Sequence, residues 1–136
     1  MTAKEYLMQV SRAERELKTL RAQLDHYEDI GLLITPSISH TGGSGQRGAS
    51  RVEAAAVGMI DTLAEIRERI AEYTAITAAA RATIDKIPQE RYRRILILRY
   101  LCGWSWSSIS DELMYNDRNS VYRAHGYALT ALKKVM

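Results

Sequence analysis

The stretch Gly103-Trp104-Ser105-Trp106-Ser107-Ser108-Ile109-Ser110-Asp111-Glu112-Leu113 decides the fold of this chain. It predicts a short helix capped by Ser105, with Trp106, Ile109 and Leu113 on one face at spacings of three and four. Gly103, just before it, marks the stop of a preceding helix. Tyr115-Asn116-Asp117 follows as a tight turn, and Asp117 suits the cap of a second helix, whose positive N-terminal end favours a carboxylate. In that helix Val121, Ala124, Ala128, Leu129 and Leu132 form a buried stripe. Arg118, Asn119, Ser120, Tyr122, Arg123 and later Tyr127 occupy the remaining face. Ser110 is small where the two helices should cross closely. Upstream, Pro88 forces Ile87 out of helical conformation and is itself well placed as the first residue of a helix running to about Cys102. Ile95, Leu98 and Leu101 are its expected core face, with Tyr92 and Leu96 flanking.

Outward from this tail, the apolar pattern changes to heptads. Tyr6, Val10, Ala13, Leu17, Leu20, Leu24 and Tyr27 keep a strict 4-3 spacing, the seam of a coiled coil over a helix from Thr2 to about Leu33. Thr2 and Glu5 form a capping box at its start, and Gly31 is expected to weaken its end. Val52, Ala56, Met59, Leu63, Ile66, Ile70, Tyr73, Thr77, Ala80, Ile84 and Ile87 repeat the rhythm over a second helix, about 50–86, capped by Ser50 with Glu53. A Glu65–Arg69 pair adds support along it. At 1.5 Å per residue these helices would be about 48 and 55 Å long. Between them, residues 35–49 are Gly- and Ser-rich, with Pro36, and read as a linker. A phosphate-cradling loop would need Lys-Ser/Thr directly after its last glycine, whereas Ala49-Ser50 follows Gly48. A looser alternative keeps Arg47 and Arg51 as phosphate contacts. The expected fold is therefore all-α: an antiparallel coiled-coil helical hairpin over 1–87, then a three-helix domain over 88–136. Ala55, Ile60 and Ile76, beside the seam, want further cover, from self-association or from the C-terminal domain.

Composition agrees with a helical, mostly folded chain: 46% of its 136 residues are apolar, 26% are charged, and Phe is absent. The net charge of +3 is unevenly spread. Residues 1–87 carry 11 Lys/Arg and 12 Asp/Glu, whereas residues 88–136 carry 8 and 4, so the basic excess lies in the tail. A polyanion partner for the tail follows. The single cysteine, Cys102, excludes an internal disulfide framework and, at the end of an apolar helix, is expected to be a small buried hydrophobe. No signal-peptide core and no 18-residue apolar run is present, which predicts a protein of the cytoplasm with no membrane partner.

Two short helices joined by a tight turn, the second basic at its start, are how a helix-turn-helix places side chains in a DNA groove. Arg118, Asn119, Ser120, Tyr122, Arg123 and Tyr127 are then the candidate readers: Arg forks onto guanine, Asn onto adenine, and Ser or Tyr reaches bases or phosphates. Ser107 and Ser108 suit phosphate contacts. Such residues on one helix could equally be a solvated face; the capped turn and flanking helices favour double-stranded DNA as the partner.

The segments Ile87 to Tyr100, Gly103 to Ser110, and Asp117 to His125 with Ala128 to Leu132 resemble sigma-factor region 4: its first helix, its turn and second helix, and its recognition helix. Arg99-Tyr100-Leu101 with Trp104 and Trp106, and Val121-Tyr122-Arg123-Ala124-His125, are similar to phage late-gene transcriptional regulators of the ArpU/RinA-like kind, which join a coiled-coil front to such a tail. The resemblance covers about 50 of the 136 residues. It implies a sequence-specific DNA-binding transcriptional regulator of phage or prophage genes in a bacterial host cell, with Arg118, Asn119, Tyr122 and Arg123 toward the bases. RNA polymerase and a second copy, bound through the helical hairpin, are implied as further partners. Asn119 stands where many sigma recognition helices carry an acid, and Gly126 interrupts the helix, so the promoter element is open.

Catalysis is not expected. His26, His40 and His125 lie in separate segments without a Cys or His partner at ligand spacing, so neither a metal nor another cofactor is expected. Two other functions stay open: a small DNA-packaging subunit of the terminase small-subunit kind, and an interaction module whose tail binds protein, RNA polymerase included.

Overall fold

A computed structural model describes residues 1–38 and 45–136, with side chains for 1–31 and 50–136. The described residues are mostly helical, and no strand is found among them. The helices are α1 (Ala3–Ile38), α2 (Gly45–Ile84), α3 (Glu90–Leu96), α4 (Trp106–Glu112) and α5 (Arg118–Val135).

The long helices outrun the lengths expected of them. α1 continues past Leu33 and through Gly31, since one glycine costs a helix only about 1 kcal/mol. α2 begins at Gly45, which places Ser50 and Glu53 inside the helix, where N–H groups already have carbonyl partners one turn back. Of the expected linker, residues 35–38 and 45–49 belong to these helices, and 39–44 lie outside the described residues, as does the Arg47 side chain. The capping box at the start of α1 is present in both directions: the Thr2 N–H donates to Glu5 Oε2 at 2.7 Å and the Glu5 N–H to Thr2 Oγ1 at 3.1 Å.

The chain divides into two compact units, though not at Pro88: Met1–Glu14 with Glu72–Met136 form one, and Arg15–Ala71 the other. Three helical turns of α1 and the last third of α2 thus belong with the tail. In this unit Ala3, Leu7 and Val10 of α1, Ala80 and Ile84 of α2, and Ile87 make one core with Leu96, Tyr100, Ala128 and Leu132. Leu7, off the heptad seam, is fully buried. The Tyr6 hydroxyl bonds Thr83 Oγ1 at 3.1 Å, and Lys133 Nζ donates to the Met1 carbonyl at 3.1 Å. A second core holds Ile95, Ile109, Leu113, Val121 and Ala124. α3 is covered on two sides, which corrects its expected core face: Ile95, Leu96 and Tyr100 are buried, whereas Leu98 and Leu101 are half-buried.

The ends of the short helices are set by their own residues. Gln89 is the N-cap of α3, so Pro88 stands just outside the helix rather than as its first residue. After Leu96 the helix widens over Ile97–Leu101, and the Cys102 N–H reaches back five residues to the Ile97 carbonyl at 2.9 Å. Gly103 follows at φ +72°, the left-handed stop its position predicts. The wide turn swings Cys102 to the surface, so this thiol is exposed and not the buried hydrophobe expected.

α4 ends in a Schellman turn without a glycine. The Tyr115 N–H donates to the Ser110 carbonyl at 2.9 Å and the Met114 N–H to Asp111 at 3.3 Å. Met114 takes φ 60° with its side chain 87% exposed. The left-handed region costs a residue with a β-carbon roughly 1–2 kcal/mol. Part of any relief is lost to the greater freedom of glycine in the unfolded chain. Met114→Gly is therefore expected to raise the unfolding free energy by about 1 kcal/mol in urea titration; a loss of stability would mean that the Met114 side chain holds the turn.

Few of the described residues of the unit Arg15–Ala71 are buried. Glu16 pairs with Arg69 at 3.5 Å, and the Tyr27 ring lies so close to Gly58 that a β-carbon there would sit 2.7 Å from Cζ. Residues 16 and 27 thus meet 69 and 58, and the two stretches pass one another in opposite directions. The seam of α2 holds in part: Ile66 is buried as expected, but Ala55 and Thr62 are buried in place of Ala56 and Leu63, and Ile70 is exposed. Gly58 and the small residues beside it let α1 approach, so proximity rather than hydrophobicity selects the covered face.

Candidate nucleic-acid interface

The outward face of α5 is built from its first turn. The Asp117 carboxylate accepts from the Ser120 N–H at 2.7 Å, and this bond, with the Ser120 hydroxyl, holds its pKa below the usual range. Arg118, Asn119, Tyr122 and Arg123 are exposed along that face. Ser120 is half-buried and serves the cap through its backbone. Tyr127, about 180° around the helix from Arg118 at 100° per residue, lines with Pro88, Gln89 and Tyr92 a groove of about 530 Å³ beside the start of α3. It is not gathered with Tyr122. Ser107 is exposed on the first turn of α4, whereas Ser108 is engaged in the cap: its N–H donates to Ser105 Oγ at 3.2 Å and its hydroxyl accepts from Ser105 at 2.9 Å.

Trp106 holds this face in place. Tyr122 packs edge-on against it, centroids 5.5 Å apart at 89°, and His125 at 4.6 Å. The Arg99 guanidinium lies 4.5 Å over the indole and donates to the Trp104 carbonyl at 2.9 Å. Below, the Tyr100 hydroxyl and His125 Nε2 share a 2.7 Å hydrogen bond. Sequence reasoning missed this network; the paired tryptophans at the start of α4 were its only trace.

The tail's basic excess is mostly engaged inside the fold. Arg91 bonds the Leu113 carbonyl at 3.0 Å and covers the Tyr115 ring at 4.6 Å, bracing the α4–α5 turn. Arg93 donates to the carbonyls of Ile87 and Pro88 at 2.6 and 3.0 Å, closing the end of α2 onto α3. Arg94 pairs with Glu112 at 3.5 Å. Arg99 and Lys133 are bound as described above. Among the described residues of the tail, the cations without a hydrogen bond or ion pair are Arg118, Arg123 and Lys134, and the two arginines stand on the α5 face.

His125 makes the tail sensitive to acid. Burial, and then the charges of Lys4 and Arg99, lower its pKa to about 4. Between that value and about 6.5 the unfolded chain holds a proton that the folded chain lacks, so stability rises with pH across this window and falls on acidification. The urea midpoint should drop between pH 6.5 and 4.5, and drop less in His125→Gln, which retains an acceptor for Tyr100. Equal slopes in the two proteins would remove His125 as the cause.

Among the described residues no cluster of three or more His, Cys, Asp or Glu is placed to hold a metal ion, and no helix is long and apolar enough to cross a membrane. Comparison with protein-family models, with curated proteins and with solved structures finds no match.

Proposed function

We propose that α4, the Leu113–Asp117 turn and α5 act as a helix-turn-helix of the sigma-region-4 kind, which binds double-stranded DNA as a sequence-specific transcriptional regulator of phage or prophage genes. The observation that carries this is the disposition of cations. The other tail arginines are engaged within the fold, and Arg118 and Arg123 project from a capped helix beside Asn119 and Tyr122. An Arg-Asn-Tyr-Arg face can fork onto guanine and adenine edges and anchor on phosphate. Trp106 restrains Tyr122 and so reduces the entropy lost on contact. Ser107 adds a hydroxyl on the DNA side of the turn. Tyr127, turned toward α3, has a lesser part or none. On this reading the two long helices form an antiparallel hairpin that sets the copy number and offers a surface to RNA polymerase.

Selection of bound sites from random duplexes, with the whole purified protein, tests the proposal. One recovered consensus supports it. Binding at low salt without a consensus favours a packaging-type subunit, and no binding at low salt leaves a protein-interaction module.

A further inference from the structure

Among the described residues of Arg15–Ala71 the packing leaves an apolar face uncovered. Among its described residues, Ala55, Thr62 and Ile66 are buried, and no α1 residue from 15 to 31 is, although Leu17, Leu20, Leu24 and Tyr27 all lie on the seam. On α2, Val57 (58% exposed), Ile60 (67%), Leu63 (41%) and Ile70 (41%) form a second apolar stripe with Ala64 and one cation, Arg67. Two helices cannot enclose an apolar seam by themselves, and a further layer is the usual solution.

We infer that this layer is a second copy of the chain, packed antiparallel on the first about a two-fold axis between Leu63 and Ala64. Two features single out a second copy. First, the stripe 57, 60, 63, 64, 67, 70 has the spacing 3-3-1-3-3, the same read from either end. A two-fold axis at its centre lays Val57 on Ile70, Ile60 on Arg67 and Leu63 on Ala64 of the partner. Arg67 then falls beside the partner's Asp61, and neither residue has an ion partner within its own chain among the described residues. Second, the helix pair is charged oppositely at its two ends. Residues 15–23 and 63–71 carry five Lys/Arg and three Asp/Glu, net +2. Residues 24–31 and 50–62 carry one and five, net −4. Antiparallel pairing sets each positive end on a negative one, whereas parallel pairing stacks like on like and Arg67 on Arg67. The inference does not depend on DNA binding by the tail.

Light scattering of the whole protein at micromolar concentration should give twice the 15.4 kDa of one chain. Ile60→Glu, on the surface of the single chain, should return it to one copy with unchanged helical circular dichroism. Register is read with a short bis-maleimide in a Cys102→Ser background. Ala64→Cys should crosslink to itself. Val57→Cys and Ile70→Cys should each fail alone and crosslink when mixed. A monomeric wild type, or Val57→Cys crosslinking to itself as well as it does to Ile70→Cys, overturns the proposal.

Discussion

Arg123→Ala and Arg118→Ala are each expected to weaken binding to the selected duplex about 5- to 150-fold, equivalent to about 1–3 kcal/mol. Both side chains are exposed and make no hydrogen bond or ion pair among the described residues, so either change should move the melting temperature little, and loss of affinity can be read as loss of contact. Titration over a range of salt separates the two kinds of contact. An arginine on a phosphate lowers the slope of log K against log salt by about one when removed and weakens all sequences alike. An arginine on a base edge leaves the slope and relaxes specificity at one position. Lys134→Ala, a free cation distant from the first turns of α5, is the matched control. Unchanged affinity in both arginine variants would sink the α5 face as the reader.

Leu7→Ala should destabilise the tail by about 2–5 kcal/mol, the usual cost of emptying a fully buried leucine site. Leu7 lies far from the tail in sequence but in one core with Leu96, Tyr100, Ala128 and Leu132. The two tryptophans, Trp104 and Trp106, both lie in the tail, so fluorescence-detected urea unfolding reports on it directly. A tail that folds alone would show the same transition with or without the Leu7 side chain. The same core explains why a fragment of residues 88–136 is expected to lack a cooperative transition: it would expose Leu96, Ala128 and Leu132, all fully buried in the whole chain.

Ser105 and Asp117 cap the helices they were expected to cap, and Gly103 takes the positive φ its position requires. Each is a local device acting across one to four residues, so the signal and its effect share the same short stretch. Of the expected α5 stripe, Val121, Ala124, Ala128 and Leu132 are buried and Leu129 is half-buried, for the same reason. The heptads of α2 held at Ile66, Ala80, Ile84 and Ile87 but missed by one position nearer its start, because both Ala55–Thr62 and Ala56–Leu63 keep the coiled-coil rhythm. Period alone cannot say which of two adjacent rows is covered. Cys102 read as buried because the widened turn that exposes it has no distinct sequence sign.

What the sequence determined by itself was the all-helical class, the capped ends of the short helices and an Arg- and Tyr-bearing outward face on α5, all products of neighbouring residues. Tertiary structure alone decided that the first turns of α1 complete the core of the tail. It also decided that Gly58 and Tyr27 select the covered row of α2, and that Arg91, Arg93, Arg94 and Arg99 are bound within the fold while Arg118 and Arg123 are left outward. Those outcomes depend on which distant surfaces come within a few ångströms, and no spacing along the chain encodes that distance.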